Sequence, residues 1–387
     1  DTYSQLNTKI QLNIINSYLF EEKLDDAERV SQPLNAIMHD KKESWPEEYA
    51  DWLLFKANTL KFRDRFEEAL EILKVLEINC RDRNDVARLQ DIEIQIGDCQ
   101  HRLNRFVESR NTYRKILSQY REVYPETHPK IIYLYNNLGA TFVGESNYDS
   151  ALFYFKYAKL KNILPNPLGS TLYVSKIEWI VSNYHLLLID MKRFLDGKCT
   201  LSEFKLNEGI VYSTLSVFES KRIELQEELD AINLGRLTRD FYDEALNYYF
   251  ELFRHTQDPA YIEKAFFISE KTKYQALHHA IKLDRVSAFS GVTEKVMTEE
   301  QNTIKRVSQL EFQYSQELSK QQEPLPDLIN EYLRNWTVTQ NRMNSLIDSI
   351  KLNLPDYYNL KFNKSIVSIN QIRESFLSKQ KDMAWVS

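Results

Sequence analysis

The chain has little of the residue types on which several other fold classes depend. Its 387 residues include only 8 glycines and 10 prolines, which is few for an all-β or an α/β protein of this length. Its cysteines, Cys80, Cys99 and Cys199, are three in number and contain no CxxC pair. This predicts neither a disulfide framework nor a zinc site. We expect buried or bystander thiols and a reducing, cytoplasmic setting, although a chain that begins at Asp1 is compatible with removal of an upstream signal.

An excess of one charge and a long apolar run are also missing. The 50 Lys and Arg residues are balanced by 56 Asp and Glu residues, for a net charge of −6, so no overall field attracts nucleic acid. The basic clusters Lys61–Arg65 and Arg110–Lys115 are typical of solvated helix ends and faces, with nucleic-acid contact as the alternative. Trp179–Ile189 is among the longest weakly charged stretches, and it is too short to span a membrane.

Common catalytic and cofactor motifs are absent from the sequence. No GxGxxG, GxxxxGK, HExxH or GxSxG pattern occurs, which removes the usual signatures of nucleotide, zinc and serine-nucleophile sites. His278 and His279 are adjacent, so on a helix their side chains diverge by about 100° and do not easily share a metal. We therefore predict no catalytic residue, no cofactor, no metal and no enzymatic activity in these residues.

What the chain does contain is an internal repeat. One position, which we call the slot, falls at Ile15, Ala57, Gly97, Gly139 and His185. Nine residues after each slot there is a large apolar residue, at Leu24, Phe66, Phe106, Tyr148 and Phe194. Three residues further on there is a small one, at Ala27, Ala69, Ser109, Ala151 and Gly197. A period of about 40 residues is typical of stacked helical hairpins, in which small residues let paired helices approach closely.

With these residues the chain resembles the tetratricopeptide repeat family over about residues 3–205. The long period, together with Asn136-Asn137-Leu138-Gly139 in a first helix, is most similar to the kinesin-light-chain type of repeat. Gln100 departs from the pattern, as does the stretch 191–205. The resemblance implies an all-α fold, with a solenoid of tetratricopeptide-type helical hairpins over residues 1–205.

A row of side-chain amides is the best signal for a binding site. The residues two positions before the slots are Asn13, Phe55, Gln95, Asn137 and Asn183, and Asn136 lies beside one of them. In the family that this chain resembles, first helices line a groove, and an amide there offers a peptide backbone both a donor and an acceptor. We therefore predict peptide binding by Asn13, Gln95, Asn136, Asn137 and Asn183. Phe55 interrupts the row, and the alternative is that these amides cap or bridge neighbouring helices.

Beyond the repeats, residues 206–352 are predicted to form a helical extension. Long helices over 207–256, with a break near 233–235, precede a turn at Asp258-Pro259 and another helix. An antiparallel helical hairpin follows around Glu323–Pro326, either as plain packing or as a partner-binding coiled coil. Residues 353–387 are predicted to be a linker, partly extended, with strand-like stretches at 357–362 and 382–387.

This second half resembles bacterial CHAT-domain proteins, in which tetratricopeptide repeats precede a caspase-like protease domain. The matching elements are Asp258–Ala265, Glu270–Lys273 with Leu277, Pro355-Asp-Tyr-Tyr-Asn-Leu-Lys361 and Val367-Ser368. The resemblance implies a caspase-like His/Cys dyad after Ser387, in a domain of the same polypeptide.

Two functions follow as expectations from the sequence. In the first, the repeats bind a protein or peptide partner and regulate the downstream caspase-like domain. In the second, the chain is a helical scaffold or self-assembly surface without a groove ligand. We expect neither nucleic-acid binding nor a membrane segment, and the oligomeric state and the partner stay open.

Overall fold

A computed structural model places most of the chain in helices. It describes residues 2–20, 23–164, 172–224, 228–281, 293–318, 325–355 and 357–358. Two compact units divide the chain, residues 1–126 with 130–158 and residues 127–129 with 159–387. The division into residues 1–205, 206–352 and 353–387 stays a prediction.

The first unit is built from helical hairpins that follow one another along the chain. Its helices are α1 (Thr2–Phe20), α2 (Leu24–Ser31), α3 (Leu34–Lys41), α4 (Pro46–Phe62), α5 (Phe66–Asp82), α6 (Val86–Arg102), α7 (Phe106–Val123), α8 (Pro129–Gly144) and α9 (Tyr148–Lys161). In four hairpins the second helix begins at the large apolar residue of the repeat pattern, at Leu24, Phe66, Phe106 and Tyr148. The predicted all-α repeat fold is therefore confirmed.

The turns inside the last three of these hairpins have the same backbone conformation. Asp64, Asn104 and Ser146 have φ values of 56°, 59° and 58°, and each lies seven residues after its slot. The following N–H groups close the turn by donating to carbonyl oxygens five residues back, each at 2.9 Å: Arg65 to Leu60, Arg105 to Gln100 and Asn147 to Phe142. A left-handed residue with this bond is the Schellman ending of a helix. The turn spacing therefore reproduces the repeat period independently of the side chains.

Close contact between paired helices explains why two slots hold glycine. A Cβ atom added at Gly97 would lie 2.6 Å from the Tyr113 ring, and one added at Gly139 would lie 2.9 Å from the Phe155 ring. The rings themselves are 1% and 0% exposed. The aromatic side chain of each second helix thus occupies the space that a slot side chain would need.

Ion pairs join each hairpin turn to the second helix of the preceding hairpin. Arg63 contacts Glu28 on α2 at 2.9 Å, and Arg105 contacts Glu67 on α5 at 2.9 Å. The next pair has reversed polarity, because Glu145 accepts two hydrogen bonds from the Arg110 guanidinium at 2.8 and 2.9 Å. These pairs hold neighbouring hairpins in register.

The second unit contains helices of 5 to 29 residues. They are α10 (Lys176–Leu195), α11 (Leu201–Lys205), α12 (Glu208–Glu224), α13 (Glu228–Thr256), α14 (Pro259–Ile281), α15 (Glu294–Leu318) and α16 (Pro326–Asn353). Two antiparallel strands of two residues each, β1 (Ile163–Leu164) and β2 (Leu172–Tyr173), precede them. The expected break near 233–235 is wrong, since α13 runs through it.

The fifth repeat does not follow the predicted register. Phe194, the large apolar residue of this repeat, lies inside α10 and not at the start of a second helix, where Phe66, Phe106 and Tyr148 lie. Gly197, the small residue of this repeat, lies in the turn after α10 with a φ of 70°. The next helix begins only at Leu201. A long first helix thus displaces the turn, which the large-and-small residue pattern alone did not reveal.

The predicted antiparallel hairpin is present as α15 and α16. Its core is formed by Ile304, Val307, Leu310, Tyr314, Trp336 and Met343, with Leu164 of β1. After α16 the chain stays helical at Tyr357 and Tyr358, so the strand predicted from residue 357 is wrong at its first two positions. The predictions for residues 359–387 lie outside the described part of the chain.

Candidate interaction face of the first helices

A ladder of ion pairs joins the first helices of successive hairpins. Each rung connects the residue six positions before one slot to the residue nine positions before the next slot. The rungs are Lys9–Glu48 at 3.1 Å, Asp51–Arg88 at 3.2 Å and Asp91–Lys130 at 2.6 Å. We call these residues, with Asn13, Lys61, Gln95, Asp98, Tyr133 and Asn137, the first-helix face. Because the rungs repeat with the hairpins, α1, α4, α6 and α8 present one continuous polar surface.

Asp98 on α6 is the centre of a hydrogen-bonded cluster on this face. The Tyr113 hydroxyl donates to Asp98 Oδ1 at 2.6 Å, and the Tyr133 hydroxyl lies 3.1 Å from both carboxylate oxygens. Burial raises the pKa of the Asp98 carboxyl, while the Tyr113 hydrogen bond and the Lys61 charge act against that rise. The cluster therefore links three helices, α6, α7 and α8, through one carboxylate.

Lys61 on α4 links the preceding hairpin to α6 beside this cluster. Its Nζ donates to Gln95 Oε1 at 2.8 Å and to Asn58 Oδ1 at 3.2 Å. Burial lowers the pKa of Lys61, and the nearby Asp98 charge opposes that shift. A charged group with a shifted pKa beside a specific charged partner is a candidate for a functional site.

The thiol beside this cluster is not activated. Burial raises the pKa of Cys99 to about 11, with Lys61 opposing the shift, so the thiol stays protonated near neutral pH. Among the described residues no group of three His, Cys, Asp or Glu side chains could hold a metal ion. The chemistry that this face offers is hydrogen bonding and charge.

The five predicted amides have different surroundings. Asn13 is exposed on α1, and Gln95 and Asn137 are partly buried. Gln95 accepts from Lys61, and the Asn137 side chain donates to the Tyr133 carbonyl at 3.1 Å. Asn136 and Asn183 are 3% and 0% exposed, so in this conformation neither is open to a peptide. Gln95 therefore behaves as in the alternative interpretation: its amide bridges two of the protein's own helices, α4 and α6.

Asn183 allows a test of whether a buried amide of this row stabilises the protein. Its side chain is fully buried, and neither its Nδ2 nor its Oδ1 has a hydrogen-bond partner. An unsatisfied buried amide costs about 1–3 kcal/mol of stability. Leucine has a similar volume to asparagine and no polar group, so the Asn183→Leu substitution is expected to raise the free energy of unfolding by up to that amount. Thermal and urea unfolding check this, with Asn344→Ala on the exposed side of α16 as a control. A marked loss of stability in Asn183→Leu would contradict it.

Sequence reasoning missed both the ladder and the Asp98 cluster. The ladder could have been detected in the sequence. In three successive repeats, the residue six positions before one slot and the residue nine positions before the next slot carry opposite charges. The cluster had no such signal, since Tyr113 belongs to a second helix and reaches Asp98 only through the close packing at Gly97.

The comparison with known families agrees with this geometry. Residues 88–158 match the family model of the tetratricopeptide repeat, a range that runs from near the start of α6 into α9. The chain contains tetratricopeptide repeats. Such repeats generally mediate protein–protein interaction. No curated protein matches the chain.

The matched tetratricopeptide repeats contain much of the first-helix face. Asp91, Gln95, Asp98, Tyr133 and Asn137 all lie within the matched range. Within the described ranges, no helix has the length and apolar character needed to cross a membrane.

Proposed function

We propose that this chain is a protein-interaction module whose first-helix face binds an extended segment of a partner protein. One observation carries the proposal: one rung of the ladder fixes its two side chains by pairing and still leaves both accessible. In the rung between α6 and α8, the Asp91 and Lys130 side chains are 58% and 44% exposed although they pair at 2.6 Å. A surface that is already ordered loses little conformational entropy when it binds.

The chemistry of the face favours a peptide backbone as the ligand. Asn13, Gln95 and Asn137 supply amides, each with a donor and an acceptor, and one peptide unit requires both. Lys9, Lys130 and Asp91 lie on the same face with both signs of charge. This mixture favours a partner segment with charges of both signs over a purely acidic or basic one.

Binding to a peptide array is the experiment that tests this proposal. The full chain is screened against extended peptides, and the affinity of a captured peptide is measured by calorimetry. Gln95→Ala and Asn137→Ala are expected to weaken binding by about 1–3 kcal/mol for each buried amide pairing lost. Asn344→Ala, which removes an exposed amide on α16 that is not part of this face, is the matched control.

Stability measurements distinguish binding from bridging. We expect the melting temperatures of Gln95→Ala and Asn137→Ala to change little, since both side chains are partly exposed. Stability falling in proportion to affinity would show instead that the amides only bridge helices. Absence of any captured peptide would count against the groove ligand and favour the scaffold function.

We further propose that partner binding regulates a caspase-like domain of the same polypeptide. The support is the CHAT-like resemblance at 258–277 and 355–361, together with the order of the elements. A helix that begins at Pro259 is followed by the α15–α16 hairpin and then by Pro355, which is the order that the resemblance implies.

Sequencing the natural gene beyond the Ser387 codon tests this regulatory role. We expect a reading frame that encodes an α/β domain with one His and one Cys in caspase-like positions. The longer protein should then cleave peptides at a rate that changes when the partner segment is added. A stop codon directly after Ser387, or an unrelated domain, would remove the protease from the proposal and leave the interaction module.

A further inference from the structure

In the first helices after α1 the same positions are largely covered, and the first of them pairs with the preceding first helix. The positions lie nine, five, two and one residues before the slot. In α4 three of them are Glu48, Trp52 and Phe55, which are 2%, 7% and 2% exposed. Glu48 accepts from Gln5 on α1 at 2.8 Å, and the equivalent Arg88 and Lys130 contact the preceding first helices. These positions therefore define a stacking face, by which one hairpin rests on another.

On α1 the stacking face is exposed. Its positions are Leu6, Ile10, Asn13 and Ile14. The three aliphatic side chains are 56%, 50% and 42% exposed, and they follow one another at intervals of four residues, along one side of the helix. Neighbouring exposed aliphatic side chains of this kind mark a surface that takes part in an interaction.

The ladder argues against another hairpin of the same kind as the partner of this surface. In α4, α6 and α8 the position nine before the slot is charged, with Glu48, Arg88 and Lys130, and each forms a rung with the helix before it. In α1 that position is Leu6, which cannot form a rung. The stacking face of α1 thus lacks the charged group by which this chain joins one repeat to the next.

The stripe is complementary to itself. If two α1 helices lie antiparallel with Ile10 facing Ile10, then Leu6 faces Ile14 of the second copy, because both are four residues from the centre. In the same arrangement Asn7 faces Asn13 of the second copy, and two amides can each donate and accept. None of the residues that meet is charged, so identical faces approach without repulsion. This is the geometry that a two-fold interface requires.

We propose that the chain forms a two-fold dimer through the stacking face of α1, with the two α1 helices antiparallel and centred on Ile10. The helix has 19 residues and so is about 28 Å long. A single helix pair buries less area than standard stable interfaces, so a weak, concentration-dependent dimer is expected. Of the three amides proposed to bind peptide, the dimer uses only Asn13, so the Gln95→Ala and Asn137→Ala variants still test the peptide ligand separately from the dimer.

Sedimentation velocity of the full chain, up to about 100 µM, tests the dimer. We expect the wild type to shift towards twice the monomer mass as concentration rises. Ile10→Glu sets two carboxylates against each other at the centre of the interface, and Ile10→Lys does the same with two ammonium groups. Each variant alone is expected to be at least about tenfold weaker in self-association. An equimolar mixture of the two is expected to dimerise again, since unlike charges then meet.

Two controls keep the result specific. Ile78→Glu changes a residue on α5 that is 61% exposed, and we expect it to dimerise like the wild type. Thermal melting verifies that the Ile10 variants remain folded, which the exposure of Ile10 favours. A wild type that stays monomeric, an Ile10→Glu variant that still dimerises, or a mixture that stays monomeric would each overturn the proposal. The first result would assign the stripe to a contact other than a second copy of this chain.

Discussion

Replacing Phe155 with alanine is expected to lower the free energy of unfolding by about 3–5 kcal/mol. Phe155 is 0% exposed and packs its ring against the backbone at Gly139. Neighbouring side chains cannot close the resulting space without moving α8 towards α9. Urea unfolding followed by circular dichroism measures the loss. A decrease below about 1 kcal/mol, typical of surface positions, would mean that the two helices are not packed as described.

A double-mutant cycle tests the contact itself. Gly139→Ala alone should destabilise by about 1–3 kcal/mol through overpacking, although alanine is usually the better helix former. In a Phe155→Leu background the same change should cost much less, because the ring that obstructs the Cβ is gone. Gly209→Ala on α12, where an added Cβ meets nothing within 4 Å, is the matched control. Equal costs of Gly139→Ala in both backgrounds would contradict the packing.

Tyr357→Phe is expected to destabilise the second unit by about 1–3 kcal/mol. The Tyr357 hydroxyl donates to Glu300 Oε2 at 2.7 Å, and the two residues are 2% and 0% exposed. Burial and the Glu300 carboxylate both raise the pKa of Tyr357, so it remains a donor near neutral pH. Without this donor, Glu300 keeps the cost of burial and loses part of the compensation.

Thermal unfolding and limited proteolysis check this expectation. Tyr332→Phe, at a half-buried tyrosine on α16, is the control and should change stability by less than about 0.5 kcal/mol. Faster cleavage after α16 in Tyr357→Phe would show that the Tyr357 hydrogen bond holds this part of the chain against the hairpin. Identical stability and cleavage in both variants would show that the bond contributes nothing.

The α15–α16 hairpin shows how far spacing alone can predict this structure. Its seam was predictable because apolar residues such as Ile304, Val307 and Trp336 recur at helical intervals, and the Pro326 region marks the turn. The register of the fifth repeat was not predictable in this way. A residue such as Phe194 suits the end of one helix as well as the start of the next, and only the left-handed turn at Gly197 distinguishes them.

The same limit applies to the candidate site, of which the sequence pattern predicted one part and the packing of the helices decided the other. Local pattern determined the helices, the slots and the approximate period, because each depends on residues that are close in sequence and repeat at regular intervals. It also indicated the amide row, but it could not indicate that Asn136 and Asn183 are buried while Asn13 is exposed. Burial depends on which neighbours a helix acquires when the hairpins stack. Contacts between distant residues, such as Tyr113 with Asp98 and Arg88 with Asp51, arise only in that packing.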